Sequence, residues 1–91
     1  MSTEKEVKDL VAAIHDCMNR YAEYYAGALN ERRSSEPVCP GEADRLQQLA
    51  DMEHCYIAEN ISKLKLIRPD IGTDIDKQVG DWLEKLYSGH K

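Results

Sequence analysis

The sequence predicts an all-α fold, in which two long helices form an antiparallel hairpin and a short C-terminal helix packs against it. Apolar residues recur every three or four positions through two segments of nearly equal length. One stretch with two prolines, two serines and a glycine separates these segments. A shorter apolar stripe follows Pro69. We therefore expect a single helical domain over residues 1–91, which assembles into a dimeric helical bundle.

The first helix is predicted over residues 4–31. Thr3 followed by Glu6 fits a capping box, in which a hydroxyl and a carboxylate satisfy the first free backbone N–H groups. The apolar stripe that follows fills three positions of each heptad, more than the two-position seam of a simple coiled coil. Its members are Val7, Leu10, Val11, Ile14, Cys17, Met18, Tyr21, Tyr24, Tyr25 and Ala28. A stripe of this width indicates contacts with more than one neighbouring helix.

Residues 32–41 are predicted to form the loop, and residues 42–67 the second helix. Acidic Glu42 suits a helix start, because an anionic side chain interacts favourably with the positive end of the dipole. Pro69 ends the helix, since the residue before a proline avoids the helical conformation. Helices of similar length joined by a short loop fold back on each other as an antiparallel pair. With the tip near residues 36–37, facing residues have numbers that add to about 73.

The third helix is predicted over residues 74–87. Thr73 and Asp76 offer a start signal, weaker than the first capping box. Gly80 weakens this helix by about 1 kcal/mol relative to alanine, and its lack of a side chain suggests that a neighbouring helix approaches closely there. The apolar stripe is Ile75, Val79, Trp82 and Leu86. We expect this stripe to form the third side of the core.

Two polar residues interrupt the apolar stripe of the second helix. Glu53 and Asn60 lie seven residues apart, on the same side as Leu46, Ala50, Ile57, Leu64 and Ile67. A carboxylate and an amide on a buried face cost free energy unless other groups satisfy them. The antiparallel register places Glu53 level with Met18 and Tyr21, and Asn60 level with Ile14.

Three interpretations of these polar residues follow. In the first, the phenol of Tyr21, Tyr24 or Tyr25 donates to Glu53, and His54 adds a charge partner. Such a polar layer fixes register or oligomeric state. In the second, Glu53 lines a pocket for a cationic or hydroxylated ligand. In the third, the helix is rotated by about 30°, less than one residue step of a helix, and both residues lie at a wet margin.

Self-association follows from the width of the first stripe. A single hairpin does not cover this stripe. We therefore expect two hairpins to pack face to face as a four-helix core, which makes the protein a homodimer. Tyrosines are favoured at interfaces because they contribute area and specificity at low entropic cost. Tyr21 and Tyr25 are expected in the core or the dimer contact, Tyr24 at the edge toward an outside partner, and Trp82 as a further anchor.

No pattern predicts an enzyme, a metal site or a cofactor. His15 and Cys17 point apart on a helix, as do His54 and Cys55, and paired metal-ligand spacings are absent. Cys17 is interpreted as a core residue, Cys55 as an exposed thiol, and Cys39 as a thiol of the loop.

Charge and composition limit the classes of molecule that this protein is expected to bind and the compartment in which it is expected to act. Seventeen acidic and twelve basic residues give a net charge of −5, which argues against binding nucleic acid. No apolar run approaches the ~20 residues that span a bilayer. The polar start of the sequence lacks the apolar segment of a signal peptide, and three cysteines with no paired spacing suit the reducing cytoplasm.

The function predicted from these observations is protein–protein interaction. We expect a small acidic regulator, inhibitor or chaperone-like adaptor, of the kind that phages or mobile elements encode. The alternative is an oligomer that binds or sequesters a small molecule, for example a nucleotide, in a pocket at the subunit interface. A thermal-shift screen with nucleotides and metabolites separates the two.

Overall fold

The computed structural model describes residues 3–33 and 41–89, and these residues form three helices with no strand. They are α1 (Thr3–Arg33), α2 (Glu42–Ile67) and α3 (Pro69–Gly89). The predicted all-α class is confirmed. Most of the predicted loop, residues 34–40 with Cys39, lies outside the described residues. Within the described part of the chain, no helix has the length and hydropathy needed to cross a membrane.

Helix α1 is longer than predicted, because Thr3 already belongs to it and it continues to Arg33. Thr3 is therefore not the residue that precedes the helix, as the capping-box interpretation required. Acidic Glu4 and Glu6 lie in the first turn, and Arg32 and Arg33 lie in the last. Both placements are favourable in the field of the helix dipole, which stabilises the two ends of this long helix.

Helix α2 has the bounds that the sequence predicts. Gly41 precedes it with a φ of 81°, a left-handed conformation that glycine adopts without steric cost. The backbone N–H of Arg45 donates to the carbonyl of Gly41 at 2.9 Å. At the other end, the N–H of Arg68 donates to the carbonyl of Leu64 at 2.7 Å. The helix ends there, and Arg68 alone connects it to α3.

Helix α3 begins at Pro69 and not at residue 74, and it ends at Gly89. The sequence prediction used Pro69 only as the end of α2. A proline is equally suited to the first turn of a helix, because the N–H that it lacks has no partner within the helix there. The N–H of Gly72 donates to the carbonyl of Arg68 at 2.8 Å, which continues the first turn of α3.

The contacts between α1 and α2 follow the predicted register. Arg20 contacts Glu53 through an ion pair, and the position of Gly27 lies against the side chain of Leu46. The residue numbers of both pairs add to 73, the value expected for facing residues. As the number rises along α1, it falls along α2, which is consistent with an antiparallel hairpin.

The close approach between helices occurs at Gly72 and not at Gly80. A β-carbon at Gly72 would lie 2.8 Å from the backbone N and Cα of Lys65, which is too close for any other residue without a backbone shift. No atom lies within 4 Å of the position that a β-carbon would take at Gly80. The prediction for Gly80 is therefore wrong, since the tightest contact of α3 with α2 lies beside the turn at Arg68.

The core contains residues from all three helices. The buried cluster is Ile14, Cys17, Tyr21, Ala50, Ile57, Ile61, Leu64, Ile75 and Val79. Trp82 and Leu86 are half-buried and pack against it. Apolar burial of this kind is the main favourable contribution to folding. The stripe of α3 thus supplies the third side of the core, as the sequence predicts.

Candidate functional site

Glu53 is buried, with 7% of its surface exposed, and its partner is Arg20. The Nε–H of Arg20 lies 3.0 Å from each carboxylate oxygen of Glu53. The Arg20 side chain is 47% exposed, so its guanidinium extends from the carboxylate to solvent. Charge-assisted hydrogen bonds of this type satisfy a buried carboxylate better than a neutral donor does.

The predicted hydrogen bond from Tyr21, Tyr24 or Tyr25 to Glu53 is therefore not the interaction that is present. Arg20 directly precedes Tyr21 and lies outside the apolar stripe of α1. A search limited to stripe residues does not find it. The register does find it, because residue 20 is the position that faces residue 53.

Cys17 is the third member of this polar cluster. One Nη of Arg20 lies 3.4 Å from the Cys17 Sγ, and the Cys17 side chain is buried. Burial raises the pKa of the Cys17 thiol, and the nearby carboxylate of Glu53 raises this pKa further. A thiol with a raised pKa carries little thiolate at neutral pH, which suits the place of Cys17 in the core.

Tyr21 is hydrogen-bonded to Tyr87 of α3, with 2.6 Å between the two hydroxyl oxygens. Burial raises the pKa of Tyr21, and the hydrogen bond with Tyr87 raises this pKa further. Sequence reasoning did not select Tyr87, because it follows Leu86 and lies off the apolar stripe of α3. Its hydroxyl is the feature that satisfies the buried phenol of Tyr21.

An aromatic cluster surrounds this hydrogen bond. The ring of Tyr21 stacks on that of Tyr25 at 5.9 Å, and it lies 6.1 Å from the ring of Trp82 at a steep angle. Tyr25 also lies 5.3 Å from Tyr87, and the exposed His54 lies 5.9 Å from Tyr21. These contacts join the end of α3 to the middle of α1 and α2. The cluster accounts for four of the predicted site residues, and Tyr87 completes it.

Tyr24 and Asn60 lie apart from this cluster. Tyr24 is half-buried and packs against the core. Asn60 is half-buried, and no described residue hydrogen-bonds to its side chain. The two polar residues of the α2 stripe thus differ: Glu53 belongs to a buried ion pair, whereas Asn60 lies at the wet margin of the third interpretation.

A solvent-open groove between the start of α1 and the end of α2, here called the end groove, has a volume of about 450 Å³. Its lining residues are Glu6, Asp9, Leu10, Lys63, Leu66 and Ile67. Leu66 is 87% exposed, the most exposed large apolar side chain of the described residues. Sequence reasoning missed Leu66, since it lies on the side of α2 opposite the stripe. The adjacent apolar residues Leu66 and Ile67 are the signal that was available, because one helix face cannot bury both.

Met52 and Tyr56, here called the exposed pair, lie one turn apart on α2 and are about half exposed. Helical spacing places them on the same flank of α2 as Lys63 and Ile67. Neither residue belongs to the buried core cluster or to the partly buried hydrophobic residues that pack against it. By helical spacing, the exposed pair and the α2 residues Lys63 and Ile67 of the end groove lie along the side of α2 that faces away from α3.

The flank of α2 that faces α3 has a second groove, of about 280 Å³, lined partly by His54, Lys65 and Asp76. The Lys65 Nζ lies 2.8 Å from the Asp76 Oδ2, so the two opposite charges pair with each other. Within residues 3–33 and 41–89, no three side chains of His, Cys, Asp or Glu come together to hold a metal ion. The ion pair of Lys65 with Asp76 thus joins this flank of α2 to α3.

No protein-family model matches the sequence, and comparisons with curated proteins and with solved structures give no significant match. The charges and exposed apolar surfaces described above are therefore the observations on which a function can be proposed.

Proposed function

We propose that this chain is a small helical interaction module that acts by binding a partner protein, as a regulator, inhibitor or chaperone-like adaptor. The supporting observation is the exposed pair, Met52 and Tyr56. Contiguous exposed apolar side chains on a small protein mark sites of association. Tyrosine and methionine are also enriched where proteins meet, because they offer adaptable or rigid apolar contact.

The proposal includes an antiparallel α1–α2 hairpin and a homodimer built from two copies. Helix α3 has 21 residues, whereas α1 has 31 and α2 has 26. It covers one flank of α2, and its end contacts Tyr21 and Tyr25 of α1 through Tyr87. A second copy would cover apolar surface that α3 leaves exposed, and two-fold dimers are the commonest assembly.

We place this function in the cytoplasm. Cys17 and Cys55 are free thiols, which suits a reducing compartment. The net charge of −5 and the exposed carboxylates favour a protein partner over nucleic acid.

A small-molecule ligand is the second candidate, because the volume of the end groove lies within the range of ligand pockets. Its lining does not favour a nucleotide. Glu6 and Asp9 would repel a phosphate, and Lys63 is the one cation among the lining residues. A thermal-shift screen would favour this candidate if a metabolite raised the melting temperature.

Affinity capture from the native host tests the main proposal. The bait is the wild-type chain, and the variant carries Met52→Gln with Tyr56→Gln. A matched control carries Lys77→Gln with Glu84→Gln, two exposed positions of α3. We expect wild type and control to capture a stoichiometric protein that the exposed-pair variant loses, while circular dichroism shows equal helix content. Undiminished capture by the variant, or no stoichiometric partner in several growth conditions, would refute the proposal.

A further inference from the structure

The end groove has rims of opposite charge. Its α1 rim carries Glu6 and Asp9, and its α2 rim carries Lys63. Leu10 and Ile67 contribute the apolar lining between them. An acidic rim and a basic rim thus lie side by side, each on its own helix.

The carboxylates of this groove are uncompensated within the described part of the chain. Neither Glu6 nor Asp9 has an ion-pair partner there. Among the described residues, the ion-pair partner of Lys63 is Glu59, one turn away on the same helix, at 3.9 Å. An exposed pair at this distance is weak, so the Lys63 ammonium remains available to a stronger partner.

We propose that the end groove is the contact surface of the homodimer, and that its occupant is the end groove of a second copy. This inference rests on the proposed self-assembly and names its surface. A two-fold interface brings one patch against the same patch, so the patch must complement itself. In this two-fold arrangement, the basic rim of each copy contacts the acidic rim of the other copy. Lys63 of each copy then faces Glu6 and Asp9 of its mate, twice per dimer.

Leu66 provides the apolar part of this contact. It is 87% exposed in the single chain and stands on the basic rim, beside Lys63 in the groove lining. In the dimer it enters the opposite groove and covers Leu10 and Ile67 there. A buried apolar anchor surrounded by complementary charges is the usual anatomy of a specific interface.

The end groove is small for a dimer interface. A standard interface takes about 800 Å² per partner, whereas the groove occupies one end of a surface of 6200 Å². We therefore expect a dimer that dissociates on dilution and weakens with added salt, since salt screens exposed charge pairs. The exposed pair, Met52 and Tyr56, stays accessible to the partner protein.

Charge reversal with complementation tests this surface by sedimentation velocity over a concentration series. One variant is Lys63→Glu, and the other is Glu6→Lys with Asp9→Lys. Each alone juxtaposes like charges in its own dimer, so we expect dimerisation at least about tenfold weaker than in wild type. Mixing the two variants restores attraction at both contacts of the heterodimer. We expect the mixture to regain dimerisation close to that of wild type.

Two further variants keep the test decisive. Leu66→Asn changes an exposed side chain, so it should weaken the dimer while helix content stays equal. Lys77→Glu makes the same charge change as Lys63→Glu on α3 and should leave the dimer unchanged.

The outcomes separate the surface from the assembly. A wild-type chain that is monomeric at every concentration overturns the self-assembly and this surface together. A wild-type dimer that Lys63→Glu and Leu66→Asn do not weaken overturns the surface and leaves the assembly standing. Failure of the mixture to recover would show that these charges act within one chain, which also overturns the proposed contact.

Discussion

The two flanks of α2 near its end differ in how the chain covers them. On one flank, Gly72 lies against the backbone of Lys65, and the Lys65 ammonium pairs with Asp76. On the other flank, the neighbouring Leu66 is 87% exposed. A charged residue is thus engaged while the adjacent apolar residue is left in water, the reverse of what polarity alone would predict.

The close approach of two helix backbones decides which flank of α2 is covered. Glycine at residue 72 lets α3 contact α2 directly, so α3 is committed to that flank. The chain has no described helix left for the other flank. The covered flank therefore determines fold stability, and the open flank is available for association.

The largest expected effect is on the covered flank. Gly72→Ala should lower the free energy of unfolding by about 2–3 kcal/mol, because the added methyl group meets the backbone of Lys65. Gly80→Ala is the matched control on the same helix, and it should raise this free energy by about 1 kcal/mol through helix propensity. Urea unfolding followed by circular dichroism measures both. Equal effects of the two variants would contradict the close approach at Gly72.

The next effect concerns the partly buried ion pair between Arg20 of α1 and Glu53 of α2. Arg20→Ala leaves the carboxylate of Glu53 buried without a donor, whereas Glu53→Ala leaves a guanidinium that water already reaches. Loss of a partner by a buried polar group costs about 1–3 kcal/mol. We therefore expect Arg20→Ala to lower the melting temperature more than Glu53→Ala, and the double variant to resemble Glu53→Ala. Glu53→Gln, which keeps the shape and loses the charge, should also be destabilising.

A double-mutant cycle on these variants checks the pairing itself. Additive losses in melting temperature for Arg20→Ala and Glu53→Ala would mean that the two side chains do not interact.

A smaller effect is expected at the end of α3. Tyr87→Phe removes one hydroxyl from the 2.6 Å contact and leaves the buried phenol of Tyr21 without its partner. We expect a loss of about 1 kcal/mol in unfolding free energy. Tyr56→Phe, the same change on the open flank, should have almost no effect. If the two variants lost stability equally, the Tyr21–Tyr87 hydrogen bond would not be stabilising.

The smallest effect concerns the reactivity of the cysteine thiols, with no change in the free energy of unfolding. In a Cys39→Ser background, a thiol-alkylating reagent near neutral pH should modify Cys55, which is exposed, and spare Cys17, which is buried. The raised pKa of Cys17 lowers its thiolate fraction, so its reaction should become appreciable only as the pH rises or the protein unfolds. Mass spectrometry after digestion assigns the label. Equal labelling of both cysteines in folded protein would contradict the burial of Cys17.

Helical periodicity predicted much of this fold, because α2 and the inward stripes depend on local spacing. The register that faces residue 20 with residue 53 also followed from helix lengths and the position of the loop. The start of α3 could not be predicted in this way. A proline such as Pro69 can follow the end of one helix or occupy the first turn of the next, so it does not distinguish the two. The role of Gly72 was equally hidden, because a close approach depends on the angle at which two helices meet.

The candidate site was predicted less well than the fold, for a related reason. Stripe analysis selects residues that point inward, so it named Tyr21, Tyr25 and Trp82. It passed over Arg20, which reaches the core from the edge, and Leu66, which points away from it. The dimer and the partner protein remain predictions, because they depend on a surface of a second molecule.

The junction at Arg68 has a consequence for how copies can combine. Exchange of α3 between two copies would require the junction to straighten or lengthen, and a single residue provides no slack for this. Straightening α2 and α3 into one continuous rod is opposed by Pro69, which lacks the N–H that such a rod needs and clashes with the preceding turn. The junction therefore resists conversion into one continuous helix, and we expect each copy to retain its own third helix. We therefore expect a dimer to form by association of folded monomers, reversibly on dilution, and not by exchange of helices between chains.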